Sequence, residues 1–501
     1  MKHWFARVKK HLKSPFVWIA LLYLLSAKGH MEVIDTEYSV RTAKAMIEHG
    51  NMRIEPVDKD FLAISVNPSA DGKIYSQYGL GLPILFIPFI TLGKILASIF
   101  GQPEERLVYF ALSFYNIPFA LLGLWFLKGI LLKLGRDIPE ANATLVLLAV
   151  GTAYWPYAVT DFSEVTQVAF LLGAMHAILS HSERKWLSFS LWFALLASIK
   201  LAYLIFLPLF LAYALYENWG DYKRQAKTVM HSAAFLLPLG LVLAYANHAR
   251  FGSILESGYG SNPGIGFGIQ YFLRTAFPSI LSLKYGLLFF NPILLTFPLW
   301  SKVLHASKRF ALLCIALMVT WFCLMCSYSY GWGWAWGQRY VFLLIPISMI
   351  CVSFAGLGKK NLLRVSIFSI IAVTSCFIQL VAVSTKFHEP LTMQIKAEKQ
   401  FEGPYSPQLP STILLFSHKL FDGSTNNPLS IIGGDENESV DLSSYESFRG
   451  FNFWPVHALK FFGLDEYERM VGLSLLSIIA IIQFGLLKIH LPKLLSKRHS
   501  E

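Results

Sequence analysis

Charge is scarce in this chain. Asp, Glu, Lys and Arg make up 15% of its 501 residues, where a soluble domain carries about a quarter. That deficit excludes an ordinary soluble enzyme or binding module. Cysteine is scarcer still. All five (Cys314, Cys323, Cys326, Cys351 and Cys376) lie inside apolar runs, so neither a disulfide framework nor a metal-ligating cluster is expected. An internal repeat and a long basic tract are also missing. The net charge of +12 comes from short basic segments between apolar runs. Such a spread speaks against a nucleic-acid partner and matches the Lys and Arg excess on the cytoplasmic side of membrane proteins. Residues 1–13 are basic and precede an apolar run, but "LLSAKGH" makes a poor cleavage site, so an uncleaved first span is expected.

What the chain has in abundance is apolar sequence, with 54% hydrophobic residues and a mean hydropathy of +0.49. Runs near the ~20 residues that cross a bilayer recur along most of it. The candidate spans are 14–30, 107–127, 141–159, 163–181, 186–199, 201–216, 228–247, 283–300, 309–327, 340–357, 364–384 and 470–490. The segment "LGLPILFIPFITLGKILASIF" (80–100) is also apolar, and whether it crosses decides the topology. If it stays at the surface, Lys128, Lys133, Arg136, Arg184, Lys185, Lys223, Arg224, Lys227, Lys302, Lys308, Arg309, Lys359, Lys360 and Arg364 all face the cytoplasm, with both tails. If it crosses, they face outward. Charge bias therefore lays 80–100 in the outer leaflet, bent by its prolines.

Lys200 would lie at mid-bilayer in a single helix over 186–216, at a cost of at least ~2.5 kcal/mol. Two short helices that bring it to the outer surface avoid that cost. Residues 386–468 are polar, rich in Pro, Ser and Asn, and read as a small extracytoplasmic region resting on the bundle through "FRGFNFWPVHALKFFG". The fold class is an all-α polytopic membrane protein of about 12 transmembrane helices. Its transmembrane module is 1–385, with a first outer loop over 31–106. The region 386–468 follows, then a last helix and basic cytoplasmic tail over 469–501.

With that threading, Asp35, Glu37, Lys73, Asp161, Glu164, Lys200, Arg250, Glu256 and Arg339 gather at the outer boundary. A transporter would more often place such groups near mid-bilayer, in broken helices. Chemistry confined to one interface suits an amphiphilic substrate with its head group outside and its tail in lipid. Structural roles compete at each position. Asp35 can cap a helix over 36–49 whose Val40, Ala43, Met46 and Ile47 form one stripe, and Glu37 can serve the helix dipole. Asp161 and Glu164 can cap the following span. Lys200 and Arg339 can snorkel to lipid phosphates. "YSYGWGWAWGQRY" (328–340) can be an interfacial aromatic belt, although its glycines point to a close-packed loop.

The loop "IDTEYSVRTAKAMIEHGN" (34–51) resembles the signature first loop of the GT-C superfamily of integral-membrane glycosyltransferases. That group includes the protein O-mannosyltransferases and the aminoarabinose transferase of bacterial lipid A. In it an acidic residue follows the first span, and a juxtamembrane helix then closes on a Gly-polar pair, here Gly50-Asn51. "DGKIYSQYGLGLPILFIPFITLG" (71–93) is similar to the second juxtamembrane element of bacterial members. "YWPYAVTDFSEVTQVAF" (154–170) is similar to the segment with a second acidic site, and "SIKLAYLIFLP" (198–208) to a basic residue before a short helix. "HARFGSILESGYG" (248–260), "YGLLFFNPILL" (285–295) and "GWGWAWGQRYVFLLIP" (331–346) resemble motifs of a bacterial branch of sugar transferases. The first loop departs from the pattern. It reads Asp35-Thr36-Glu37 where many relatives have adjacent Asp-Glu, which leaves the base between Asp35 and Glu37.

The resemblance implies a polyprenyl-phosphate-linked sugar as donor, presented in the outer leaflet of the inner membrane, and an envelope glycan, lipid or protein as acceptor. The acceptor hydroxyl must lose a proton as it attacks, so a carboxylate at the boundary can act as general base. Asp35 is the first choice and Glu37 the alternative. Lys200 and Arg339, with Lys73 as a third, can stabilise the departing lipid phosphate. A single displacement of this kind inverts the anomeric centre. Asp161 or Glu164 orients the acceptor, positions Asp35 or holds a divalent cation. Tyr75, Tyr78 and Tyr259 stack on sugar or anchor the interface. The alternative is a transporter or flippase of a lipid-linked envelope precursor. A receptor built around 386–468 is a third reading.

Overall fold

The computed structural model describes residues 14–54, 66–68, 72–256, 258, 266–329, 331, 333, 335–354, 362–386, 408–421 and 450–495. Helix α1 (Pro15–Ser26) leads into α2 (Ile34–His49), and an antiparallel pair follows, β1 (Val66–Pro68) with β2 (Ile74–Ser76). Next come α3 (Gly81–Phe100), α4 (Glu104–Leu112), α5 (Asn116–Lys133), α6 (Ile138–Gly151), α7 (Tyr154–Ala158), α8 (Glu164–Ile178), α9 (Lys185–Ile199), α10 (Leu207–Glu217) and α11 (Tyr222–Phe251). The second half holds α12 (Ile269–Ile280), α13 (Leu287–Phe290), α14 (Trp300–Ala306), α15 (Lys308–Cys326), α16 (Leu344–Val352) and α17 (Leu362–Ser384). The last helices are α18 (Gln408–Phe421), α19 (Trp454–Phe461) and α20 (Glu468–Leu495).

Among the described residues, six helices are long and apolar enough to cross a membrane: Gly81–Phe100, Glu104–Lys133, Tyr222–Phe251, Lys308–Cys326, Leu362–Ser384 and Asp465–Leu494. Five further apolar helices are shorter, at 10–17 residues. The described residues thus hold fewer full-length spans than the twelve apolar runs, and several of those runs are broken. The run 283–300 divides into α13, a 3-10 turn over Pro292–Leu299 and the start of α14. The run 141–159 parts at Thr152 into α6 and α7, and the described part of 340–357 holds the nine-residue α16 after a 3-10 turn over Arg339–Val341. Pro156 and Pro292 lie at or beside the breaks, where a missing N–H and a ring clash disfavour helix.

A break inside an apolar bundle strands backbone polar groups, each costing several kcal/mol if left bare. Buried amides meet that cost. Asn291 Oδ1 accepts the Ala153 N–H (2.7 Å) at the α6–α7 junction. Asn116 Nδ2 donates to the carbonyls of Thr160 (2.7 Å) and Phe162 (2.6 Å) after α7. Gln379 Nε2 donates to Phe290 O (2.6 Å), and Gln483 Nε2 to Val150 O (2.9 Å) and Cys376 O (2.8 Å).

Two arrangements set the site's surroundings. The helices α9 and α10 form a hairpin, since Lys185 at the start of one pairs with Glu217 at the end of the other (2.6 Å). Lys200 occupies the turn in an extended conformation (φ −145°, ψ 108°). The helix α3 is one continuous element despite Pro83 and Pro88; Pro83 falls in the first turn, where no N–H is needed. Its beginning is pressed on the end of α9, so that a Cβ on Gly81 would come within 2.3 Å of Ser198 Oγ. Farther along, Lys94 pairs with Glu48 of α2 (2.7 Å) and Glu104 of α4 (3.2 Å). Near α1, Trp454 N–H donates to Ala27 O (2.8 Å) and Asn452 N–H to Ser384 O (3.0 Å), which seats part of the 450–461 segment on the bundle.

Asn116→Ala should lower stability by roughly 1–3 kcal/mol, because it bares buried carbonyls after α7. A thermal melt in detergent reads this as a lower midpoint. An unchanged midpoint would mean that those carbonyls find other partners.

Candidate functional site

The site begins with a helix that lacks a cap of its own. Val33 precedes α2 in an extended conformation and makes no side-chain cap. Asp161, from the α7–α8 loop, supplies the acceptors instead. Its Oδ1 takes the Glu32 N–H (2.9 Å) and its Oδ2 the Val33 N–H (3.0 Å), while its carbonyl accepts from Thr36 Oγ1 (2.8 Å) and Tyr115 Oη (3.2 Å). The capping role expected of Asp35 thus falls to a residue far away in sequence. Burial pushes the Asp161 carboxyl up to about 7, against the pull of those N–H donors.

With α2 set in this way, Asp35 and Glu37 face opposite directions, two residues being about 200° apart on a helix. Glu37 accepts from Arg41 Nε (2.7 Å) and from Tyr109 Oη at both oxygens (2.9 and 2.8 Å). Asp35 turns the other way and accepts from Arg339 Nη2 and from Tyr78.

Arg339 follows a loop whose Gly331, Gly333 and Gly337 take φ of 68°, 78° and 67°, a region other residues avoid. It is nearly buried, and its Nε donates to Glu164 Oε1 (2.9 Å) at the start of α8. The guanidinium also lies 4.9 Å from the Phe162 ring centroid. Lys200 Nζ sits 5.4 Å and 5.9 Å from the ring centroids of Tyr340 and Trp321. Glu164, Lys200 and Arg339 line one cleft with Gln167, Tyr203 and Trp321. Burial pushes the Asp35 carboxyl up, but the charge and hydrogen bond of Arg339, with Tyr78 and Lys200, outweigh it and hold the group below the usual range. Burial likewise lowers the Lys200 ammonium, opposed by Glu164 and Asp35.

The structure therefore brings together Asp35, Tyr78, Glu164, Lys200 and Arg339 out of the residues singled out from sequence. It does not bring Glu37, which is turned to α4, nor Asp161, whose oxygens serve the backbone. Lys73 is exposed ahead of β2. Tyr75 is buried edge-on to Phe251 at 6.5 Å, and Tyr259 lies outside the described residues. Asp161 and Glu164, the candidates for a divalent cation, are engaged by different partners, the one by the Glu32 and Val33 N–H groups and the other by Arg339. Among the described residues no three His, Cys, Asp or Glu side chains stand close enough to hold a metal ion. Glu164 Oε2 is buried without a hydrogen-bond partner among the described residues, so a ligand hydroxyl could bond there.

Sequence reasoning named Arg250 but missed what it does. Its Nη1 donates to the carbonyls of Ser76 (2.9 Å) and Tyr78 (3.0 Å), fixing the segment that carries Tyr78. Tyr109 and Asn116 were missed outright. A lone amide in the apolar run "SFYNIPFALLG" was the available signal for Asn116.

No family model and no curated protein matches the sequence. Among solved structures the chain is similar to ArnT from Cupriavidus metallidurans bound to undecaprenyl phosphate, with a TM-score of 0.49 at 14% identity over 96% of this chain and 76% of that one. It is also similar to the apo oligosaccharyltransferase of Archaeoglobus fulgidus, with a TM-score of 0.47 at 12% identity over 87% of this chain. The chain spans 59% of the length of that protein. With TM-scores below 0.5 at such identities these likenesses carry no argument, and fold and activity have to be read from this chain's own helices and side chains.

The Asp161 carboxyl gives a pH test. It releases its proton at about 7 when folded and near ~3.9 when unfolded. Its contribution to stability is then complete below the unfolded value and lost as pH rises through the folded one. Asp161→Asn cannot titrate, so the midpoint advantage of wild type over the variant should shrink between about pH 4 and pH 7. A constant difference would mean that Asp161 is ionised throughout.

Proposed function

We propose that the chain is a membrane-embedded glycosyltransferase. It moves a sugar from a polyprenyl-phosphate carrier to an envelope glycan, lipid or protein at the outer face of the inner membrane, with inversion. The observation that carries this reading is Arg339, a nearly buried guanidinium shared by Asp35 and Glu164 with Lys200 on the same cleft. A fork-shaped cation and a point charge beside a carboxylate suit a phosphate leaving group and a proton to be removed.

Chain geometry supports one-sidedness. The head of α2 and Asp161 meet, yet α3, the α4–α5 run and α6 lie between them in sequence. An odd number of crossings would put them on opposite faces, so one of these elements does not cross. The helix α3 is that element in our reading. Its start packs on Ser198–Ile199 and its Lys94 bonds Glu48 on α2, whereas a 20-residue helix crossing the bilayer would part its ends by ~30 Å.

Arg339 holds its two carboxylates unequally. The Glu164 side chain is 7% exposed and that of Asp35 34%. Parting Arg339 from Glu164 would strand a buried charge, at about 3–5 kcal/mol. Water can solvate Asp35. The carrier phosphate therefore displaces Asp35, takes the vacated side of the fork and shares Lys200. Released from Arg339, Asp35 becomes a better base. The acceptor oxygen then bonds to the anomeric carbon as its proton passes to Asp35, and the bond from that carbon to the phosphate oxygen breaks with its electron pair on the phosphate.

Asp35→Asn should lose at least about 10²-fold in transfer while still binding lipid phosphate. Glu37→Gln, which can still accept from Tyr109, should stay active. Arg339→Lys keeps a charge but not the fork, and should also lose about 10²-fold. The check is mass spectrometry of envelope lipids and glycans from cells carrying wild type or Asp35→Asn at matched levels. Loss of one sugar mass from one species supports the transferase and identifies acceptor and sugar. Unchanged profiles, in cells that need the wild-type protein, would favour the transport of an envelope precursor. Activity that survives Asp35→Asn and disappears in Glu37→Gln would move the base to Glu37.

A further inference from the structure

We infer that Gln408, in the polar region 386–468, is a positioning residue for Arg339, which makes the C-terminal region part of the site's machinery. The inference rests on the reading of Arg339 as the group that meets the carrier phosphate.

The problem it solves is local. Arg339 is carried by a glycine-rich loop with three left-handed residues, and no long helix fixes its approach. A loop of that kind needs outside anchors if a guanidinium is to be held within fractions of an ångström. The bundle anchors its middle. Trp336 O accepts from Tyr157 Oη (3.0 Å), and the Trp336 indole N–H donates to Gln379 Oε1 (3.3 Å). Gln408 anchors the residues on both sides of Trp336. Its Nε2 donates to Ala335 O (3.1 Å), and its Oε1 accepts the Gly337 N–H (3.2 Å). Both ends of one amide thus go to the loop, two and four residues before Arg339.

Gln408 is fully buried, where an unbonded amide would be costly. It opens α18, and its own position is fixed from elsewhere. Leu409 N–H donates to Leu283 O (3.2 Å), and Phe416 packs edge-on to Phe377 of α17 at 6.3 Å. A shift of α18 against α17 would therefore reach Arg339 through a single side chain.

The test uses the full chain in detergent, with undecaprenyl phosphate as the probe, and compares wild type, Gln408→Met, Arg339→Ala and the double variant. Met keeps the volume and removes both bonds. Expected are faster amide exchange at 335–339 in Gln408→Met and about tenfold weaker probe binding than wild type, on the scale of one or two lost hydrogen bonds. In the Arg339→Ala background the second substitution should change binding no further. That non-additivity separates positioning from a general loss of stability, which would add. Unchanged exchange overturns the inference, and so does faster exchange with unchanged binding or an effect of equal size without Arg339. If wild type binds the probe no better than Arg339→Ala, the functional reading itself fails, and the inference with it. Should Gln408→Met not fold, Gln408→Glu keeps the bond to Gly337, and its expected shifts are smaller and in the same direction.

Discussion

A guanidinium taken out of water must be given carboxylates, and much of this structure follows from that requirement at Arg339. Its two partners come from positions 35 and 164, so the α1–α2 connection, the start of α8 and the 331–339 loop have to arrive together. Each has its own lock. Asp161 ties the head of α2 to the α7–α8 loop, Asn116 holds the carbonyls of that same loop, and Tyr157 reaches from α7 to Trp336. Removing any one lock leaves a buried charge or a buried polar group short of a partner. The site is therefore more cooperative than a set of side chains placed on independent helices.

The same logic explains the irregular helices. Continuous spans would satisfy their own backbones, but their side chains would be held within the spans. Breaking α6 from α7 and α13 from α14 turns loops inward, and the stranded groups are then met by Asn291, Asn116, Gln379 and Gln483. Irregular backbone inside an apolar bundle is tolerated only where protein covers it.

Hydropathy and charge make several features legible in the sequence. The bend at Lys200 followed from the cost of a charge at mid-bilayer, and the hairpin of α9 and α10 has that bend. Asp35, Glu164, Lys200 and Arg339 were singled out because ionisable groups at a membrane boundary need a reason, and they do converge. The rest was hidden for identifiable causes. Asp35 and Glu37 look equivalent in a string, and only a helix that begins at Ile34 sends them to opposite faces. Asp161 read as a local cap because its real partners, the N–H groups of Glu32 and Val33, lie about 130 residues away. Window averages of hydropathy pass over breaks, since proline and asparagine dilute an apolar run without ending it. The glutamines that repair those breaks were visible, but a lone amide does not say which carbonyl it will meet.

The unequal burial of the two carboxylates has a further consequence for the proposed chemistry. Before the donor arrives, Asp35 and Glu164 offset Arg339 and Lys200. A sugar phosphodiester adds one unit of negative charge and turns Asp35 aside. As transfer proceeds, the proton from the acceptor neutralises Asp35 and the leaving phosphate gains the charge that Asp35 has lost. The net charge of the site stays constant through the step, and negative charge moves from the base to the phosphate past Arg339. A low-dielectric site penalises changes in its total charge more than movement of charge between groups already held there. In the proposed step, holding Glu164 fast keeps Arg339 in place during that movement, which is why the deeply buried carboxylate is suited to orienting the cation and the partly exposed one to taking the proton.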